Sequence, residues 1–209
     1  GFLCDGENYS ASDTFFEGLN HLPPASTLVV NRTGVTLKQY WSPAEVQPLP
    51  PGNIGDYSEM LRELLLEAVD TRLRSGYRLG AHLSGGLDSS AIVACAGTLG
   101  AVNAENMSTF SWMHTPQTDE ELEDPEWAGS RQVAEAYKLP LLYAEFSSDD
   151  FLDMLLNHDL ALGDTVYVWA EKPQARKAAD LGIRTMLSGW GGDQLISHYG
   201  NDLFAERAI

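Results

Sequence analysis

Cysteine is nearly absent: Cys4 and Cys95 are the only two in 209 residues. That excludes a disulfide scaffold or a cysteine-based zinc site as an organising feature, and it points to a reducing compartment. Basic residues are also scarce. Thirteen Lys and Arg against 30 Asp and Glu leave a net charge of −17. With no basic cluster, such a surface repels a phosphate backbone, so no nucleic-acid partner is expected. A small anionic ligand stays open, because backbone amides and a metal ion bind phosphate locally. No apolar run approaches the roughly 18–20 residues of a membrane span. The start, Gly1 to Glu7, lacks the basic and apolar regions of a signal peptide. The expectation is a cytoplasmic protein with no membrane association. His21, His82, His114, His158 and His198 show no His-x-x-x-His spacing, which argues against zinc. At 44% hydrophobic and 21% charged residues, the disordered and collagen-like classes are out.

What is present alternates in texture. Residues 26–41 read as a hairpin, two β-rich runs around Asn31-Arg32-Thr33-Gly34. Ser42 to Gly55 carries prolines at 43, 48, 50 and 51 and reads as a linker without helix or central strand. Asp56 to Ser75 follows a 3.6-residue apolar period and stops at Gly76, an amphipathic helix. Beyond it, strands are expected at 77–83, 106–113, 141–146 and 183–187. Helices are expected at 88–99, 125–137, 148–162 (capped by Ser148 or Asp149) and 170–181. Pro116 to Asp124 reads as an acidic loop, either solvated or a flap over a substrate. Alternating strands and helices predict an α/β fold, an open parallel sheet with helices on both faces. Such sheets bind ligands beyond the carboxyl ends of their strands. Two glycine turns fall there.

The first is Ser84-Gly85-Gly86-Leu87-Asp88-Ser89-Ser90. Two glycines let backbone approach a ligand, and three hydroxyls converge with the free amides of a helix start, which makes a phosphate site. Asp88 among phosphates would repel them without a cation, so the stretch implies Mg²⁺. The lysine of a Walker loop and the dinucleotide fingerprint are both missing. A plain strand-to-helix turn capped by Asp-Ser-Ser is the bland alternative. The second turn, Ser188-Gly189-Trp190-Gly191-Gly192-Asp193-Gln194, repeats the design, and Asp193 could share a Mg²⁺ with Asp88.

Both turns resemble signatures of the asparagine synthetases, within the ATP pyrophosphatases (the PP-loop, adenine nucleotide alpha hydrolase-like fold). The resemblance implies ATP and Mg²⁺ as cofactors. Pyrophosphate would lie on Ser84, Gly85, Gly86, Ser89 and Ser90, and metal on Asp88 and Asp193. Nucleotide would touch Ser188 and Gly189, with Leu83 and Trp112 at the adenine-contact positions; Ser108 to Trp112 resembles the family's second strand. Trp190 and Gln194 depart from the family's Ser-Gly-Glu-Gly-(Ala/Gly/Ser)-Asp-Glu. Indole has no acid–base function at neutral pH, whereas a glutamate there can steer a nitrogen nucleophile. The alternative is that Trp190 only packs across the loop.

The activity this implies is adenylation of a substrate carboxylate, aspartate by resemblance, with release of pyrophosphate. Ammonia or an amine would then displace AMP to give an amide. The partners would be that carboxylate and a nitrogen donor, and a homodimer is left open. A specialised amide cyclase of β-lactam or lasso-peptide type, or a non-catalytic nucleotide-binding fragment, are the other readings. Phe15 to Pro24 with the hairpin and Tyr40-Trp41 resembles the end of the family's glutaminase domain. That implies 1–41 as its remnant, 42–55 as linker and 56–209 as the synthetase domain, incomplete at its carboxyl end. Cys4 reads as an ordinary thiol. Lys172, Arg176 and Lys177 read as a solvated face or as contacts for a substrate carboxylate, and Tyr167 and Trp169 as core or interface.

Overall fold

The computed structural model describes residues 12–14, 16–143, 147–156 and 165–193. Two strands, β1 (Ser26–Asn31) and β2 (Gly34–Gln39), form the expected antiparallel hairpin, with Leu28 opposite Leu37 and Val30 opposite Val35. Its turn is held by Asn31 Oδ1, which accepts from the Thr33 amide at 2.8 Å and the Thr33 hydroxyl at 2.6 Å. The proline-rich stretch is not free of helix. Ser42 caps a 3₁₀ turn at Pro43–Glu45, where proline's fixed φ suits a first helical position. Helix α1 (Ile54–Leu73) also starts inside the expected linker, because Asn53 caps it by accepting from the Asp56 amide at 3.1 Å.

The main body runs β3 (Arg78–His82), α2 (Leu87–Thr98), β4 (Met107–Ser111), α3 (Asp119–Glu123), α4 (Pro125–Ala136), β5 (Leu141–Tyr143), α5 (Ser148–Leu156), α6 (Thr165–Asp180) and β6 (Ile183–Leu187). Three expectations are corrected. The acidic run is not simply a loop: Thr118 and Glu121 form a reciprocal capping box, and acidic residues suit the positive end of the short helix α3. Helix α5 is capped by Ser147, whose hydroxyl accepts from the Asp150 amide at 3.2 Å while Asp150 accepts from the Ser147 amide at 3.0 Å. Helix α6 begins at Thr165, so the backbone of Tyr167 and Trp169 lies within it rather than before it. The expected tails of β5 at 144–146 and of α5 at 157–162 lie outside the described residues, as do Cys4, Phe15, His158, Gln194 and His198.

The four main strands are parallel, in the order β5-β4-β3-β6. Alternate side chains leave the sheet on opposite faces. Leu79, Ala81, Met107 and Leu187 meet Val69 of α1, Val93 and Ala96 of α2 and Ala134 of α4. Phe110 and Ile183 meet Ala178 of α6 on the other face. The sheet is therefore covered on both faces, as parallel sheets require. From β3 the chain steps to β4 and β5, then crosses back to β6 on the far side of β3. The strand order reverses between β3 and β6, and both glycine turns leave the sheet at that point. Among the described residues, no helix is long and apolar enough to cross a membrane.

Candidate nucleotide site at the switch point

The first turn is built by close packing. Gly85 has a φ of +87°, and a Cβ there would meet the Glu126 carbonyl oxygen at 2.5 Å and the Ser130 amide nitrogen at 3.0 Å. The turn thus rests on α4 with backbone against backbone, in a conformation that side-chain-bearing residues rarely adopt. Within it, the Ser84 amide donates to Ser89 Oγ at 3.2 Å, and the two hydroxyls lie 3.0 Å apart. The Gly86 amide donates to Ser84 Oγ at 3.3 Å. Ser89 is only 8% exposed, so its hydroxyl holds the turn's shape from inside. Helix α2 has Gly86 at its N-cap and no side-chain cap, so Asp88, Ser89 and Ser90 do not cap it. Among the described residues, the buried Ser90 Oγ has no hydrogen-bond partner.

The second turn is pressed onto the first. A Cβ on Gly189 would lie 2.8 Å from the Ser89 amide nitrogen, and one on Gly192 would overlap the Asp88 carboxylate. The Asp88 side chain is therefore lodged against Gly192, the residue before Asp193. The Gly192 amide donates to the Gly189 carbonyl at 3.1 Å, and the Trp190 amide donates to Ser188 Oγ at 3.1 Å. Among the described residues, no three His, Cys, Asp or Glu side chains gather as a metal cluster. Mg²⁺ does not need one, since it binds through one or two carboxylates plus phosphate and water. Two carboxylates on touching turns, Asp88 at an uncapped helix start and Asp193 next to Gly192, fit that demand.

Sequence-chosen residues fare differently at the strand ends. Leu83 is fully buried in the first core face, and its amide donates to the Phe110 carbonyl at 2.8 Å. Trp112 follows β4 directly, is 39% exposed, and packs its ring 4.9 Å from that of His82. Burial pushes the His82 pKa down, which keeps the imidazole neutral near pH 7, and among the described residues its Nδ1 has no hydrogen-bond partner. Trp190 is 55% exposed on the second turn. Asp150 holds Arg176 at 3.2 Å, while Lys177 Nζ donates to the Tyr143 carbonyl at 3.4 Å. Sequence reasoning missed Gln174 of α6, 1% exposed, whose amide atoms have no hydrogen-bond partner among the described residues. The signal was a polar residue one turn before Ala178 on the face packed against the sheet.

Fold and geometry together define an open α/β protein whose two glycine turns meet at its switch point. The asparagine synthase family model matches residues 60–208, and the chain belongs to that family. It is 26% identical to asparagine synthetase [glutamine-hydrolyzing] 2 of Bacillus subtilis over 94% of this chain and 27% of that protein. It is 30% identical to a probable asparagine synthetase [glutamine-hydrolyzing] of Schizosaccharomyces pombe over 71% of this chain and 29% of the relative. The chain thus spans less than a third of the length of these relatives. Among solved structures it is similar to an NH3-dependent NAD synthetase from Campylobacter jejuni, at 16% identity and a TM-score of 0.42, over 70% of this chain and 61% of that one.

Proposed function

We propose that the chain forms the synthetase part of an ATP-dependent, amide-forming ligase. The observation that carries this reading is the Asp88 carboxylate seated against Gly192, which joins the two glycine turns into one site beside the start of α2. ATP would lie across the carboxyl ends of β3 and β6. Its β- and γ-phosphates would take the amides of Gly85, Gly86 and the first turn of α2, together with the Ser84 and Ser90 hydroxyls. Ser89 would keep that cradle in shape. Asp88 and Asp193 would hold Mg²⁺, which when bound neutralises charge on the phosphates. Ser188, Gly189 and Trp112 would border the nucleoside, with Leu83 contributing main chain only.

A substrate carboxylate, aspartate by likeness to the relatives, would attack the α-phosphorus and release pyrophosphate. Preorganised amides at the helix start would stabilise the charge that develops there. A nitrogen nucleophile would then displace AMP. The relatives are named as glutamine-hydrolysing, and a glutaminase domain preceding this chain, with 1–41 as its end and 42–55 as linker, would supply ammonia in the same way. The test is exchange of labelled pyrophosphate into ATP across a panel of amino and organic acids. Exchange that requires one carboxylate and Mg²⁺ supports the reading. No exchange with any acid, in protein that binds ATP, counts against adenylation.

A further inference from the structure

We infer that Gln174 and His82 choose the base of the nucleotide, recognising the amino edge of adenine and turning guanine away. The inference rests on the ligase reading above and deepens it. Three buried polar atoms carry it: Gln174 Oε1, Gln174 Nε2 and His82 Nδ1 have no hydrogen-bond partner among the described residues. Native structures keep few such atoms, because each costs its desolvation without return. The fold sets the two residues on one face of the sheet and at one level. His82 is the register partner of Phe110, and its ring packs against Trp112, two residues beyond Phe110. Helix α6 ends at Asp180 and leads into β6 at Ile183, so it runs from the carboxyl edge of the sheet toward the amino edge. Gln174 therefore lies on the carboxyl side of Ala178, which packs with Phe110. Four helical residues rise about 6 Å and two strand residues about 6.6 Å, which sets Gln174 level with Trp112 and His82. That is the edge at which both glycine turns leave the sheet.

Adenine supplies one partner for each of the three atoms. Its amino group donates one hydrogen to Gln174 Oε1 and the other to His82 Nδ1, while its N7 accepts from Gln174 Nε2. Glutamine pairs with the amino group and N7 of adenine in the same bidentate way when proteins read bases. His82 plays its part with its proton on Nε2, and burial keeps the ring neutral and so able to accept. Guanine carries O6 in place of the amino group, which would set one acceptor against two. Trp112, half exposed at this edge, is the ring that a base meets first and stacks on.

The test is calorimetric titration of the full chain with ATP, 7-deaza-ATP and GTP in the presence of Mg²⁺, repeated on Gln174→Leu and His82→Phe. In the wild type, 7-deaza-ATP, which lacks the N7 acceptor, is expected to bind about fivefold more weakly than ATP, and GTP about tenfold or more. Gln174→Leu should abolish the difference between ATP and 7-deaza-ATP. His82→Phe keeps a ring against Trp112; it should preserve that difference and narrow the gap between ATP and GTP about fivefold. Circular dichroism checks that both variants fold. Equal affinity of the wild type for ATP and 7-deaza-ATP, or a difference that survives in Gln174→Leu, would overturn the inference and leave the ligase reading standing. Binding of none of the three nucleotides by the folded wild type would remove that reading and the inference together.

Discussion

Gln174 is buried to 1% exposure on α6, and among the described residues neither its amide nitrogen nor its oxygen finds a hydrogen-bond partner. An unpaired buried amide costs its desolvation without return, so the native state carries a penalty at this position. Replacing it with an apolar side chain of similar volume removes that penalty. Gln174→Leu is expected to raise the unfolding free energy by about 1–3 kcal/mol, read from urea denaturation. An unchanged or lowered midpoint would show that the amide is paired in solution. Its neighbour in sequence, Pro173, lies inside the same helix, and no pattern of single residues announced a buried amide there. The residues that were legible are those whose chemistry is local. Asp88 beside Ser84-Gly85-Gly86 reads as a phosphate turn from its own neighbours, whereas the burial of Leu83 depends on partners far along the chain.

At the scale of elements, the seating of the first turn on α4 is the contact on which the site depends. Gly85 combines a positive φ with backbone approach to Glu126 and Ser130, and Gly129 of α4 faces it in turn, where a Cβ would meet the Gly85 oxygen at 3.1 Å. Gly85→Ala is therefore expected to destabilise by roughly 2 kcal/mol or more and to weaken nucleotide binding. Thermal melts with and without Mg·ATP would measure both, and a variant that melts and binds like wild type would refute the packing argument. The strands and long helices were legible because their periods differ, two against 3.6. The acidic helix α3 was passed over because composition outweighed position, although Thr118-Asp119-Glu120-Glu121 is a capping-box pattern visible in the sequence. The early start of α6 was not legible: Thr165 to Trp169 is rich in β-branched and aromatic residues, weak helix formers that tertiary context overrides.

Across the whole molecule, the topology explains why two turns far apart in sequence come into contact. The strand order reverses between β3 and β6, so their carboxyl ends open onto one crevice, and Asp88 meets Gly192 across it. The chain as a whole carries −17, which opposes the approach of an anionic nucleotide. On the proposed reading, phosphate binding would be local and would depend on a divalent cation. Calorimetric titration of the chain with ATP, with and without Mg²⁺, tests this most directly when repeated on Asp88→Asn and Gly192→Ala. Magnesium-dependent binding in the wild type should fall at least tenfold in both variants. The loss in Gly192→Ala matters most, because that substitution removes no ligand group and only displaces the Asp88 carboxylate. Undiminished Mg·ATP affinity in both folded variants would contradict a nucleotide site built from the paired turns.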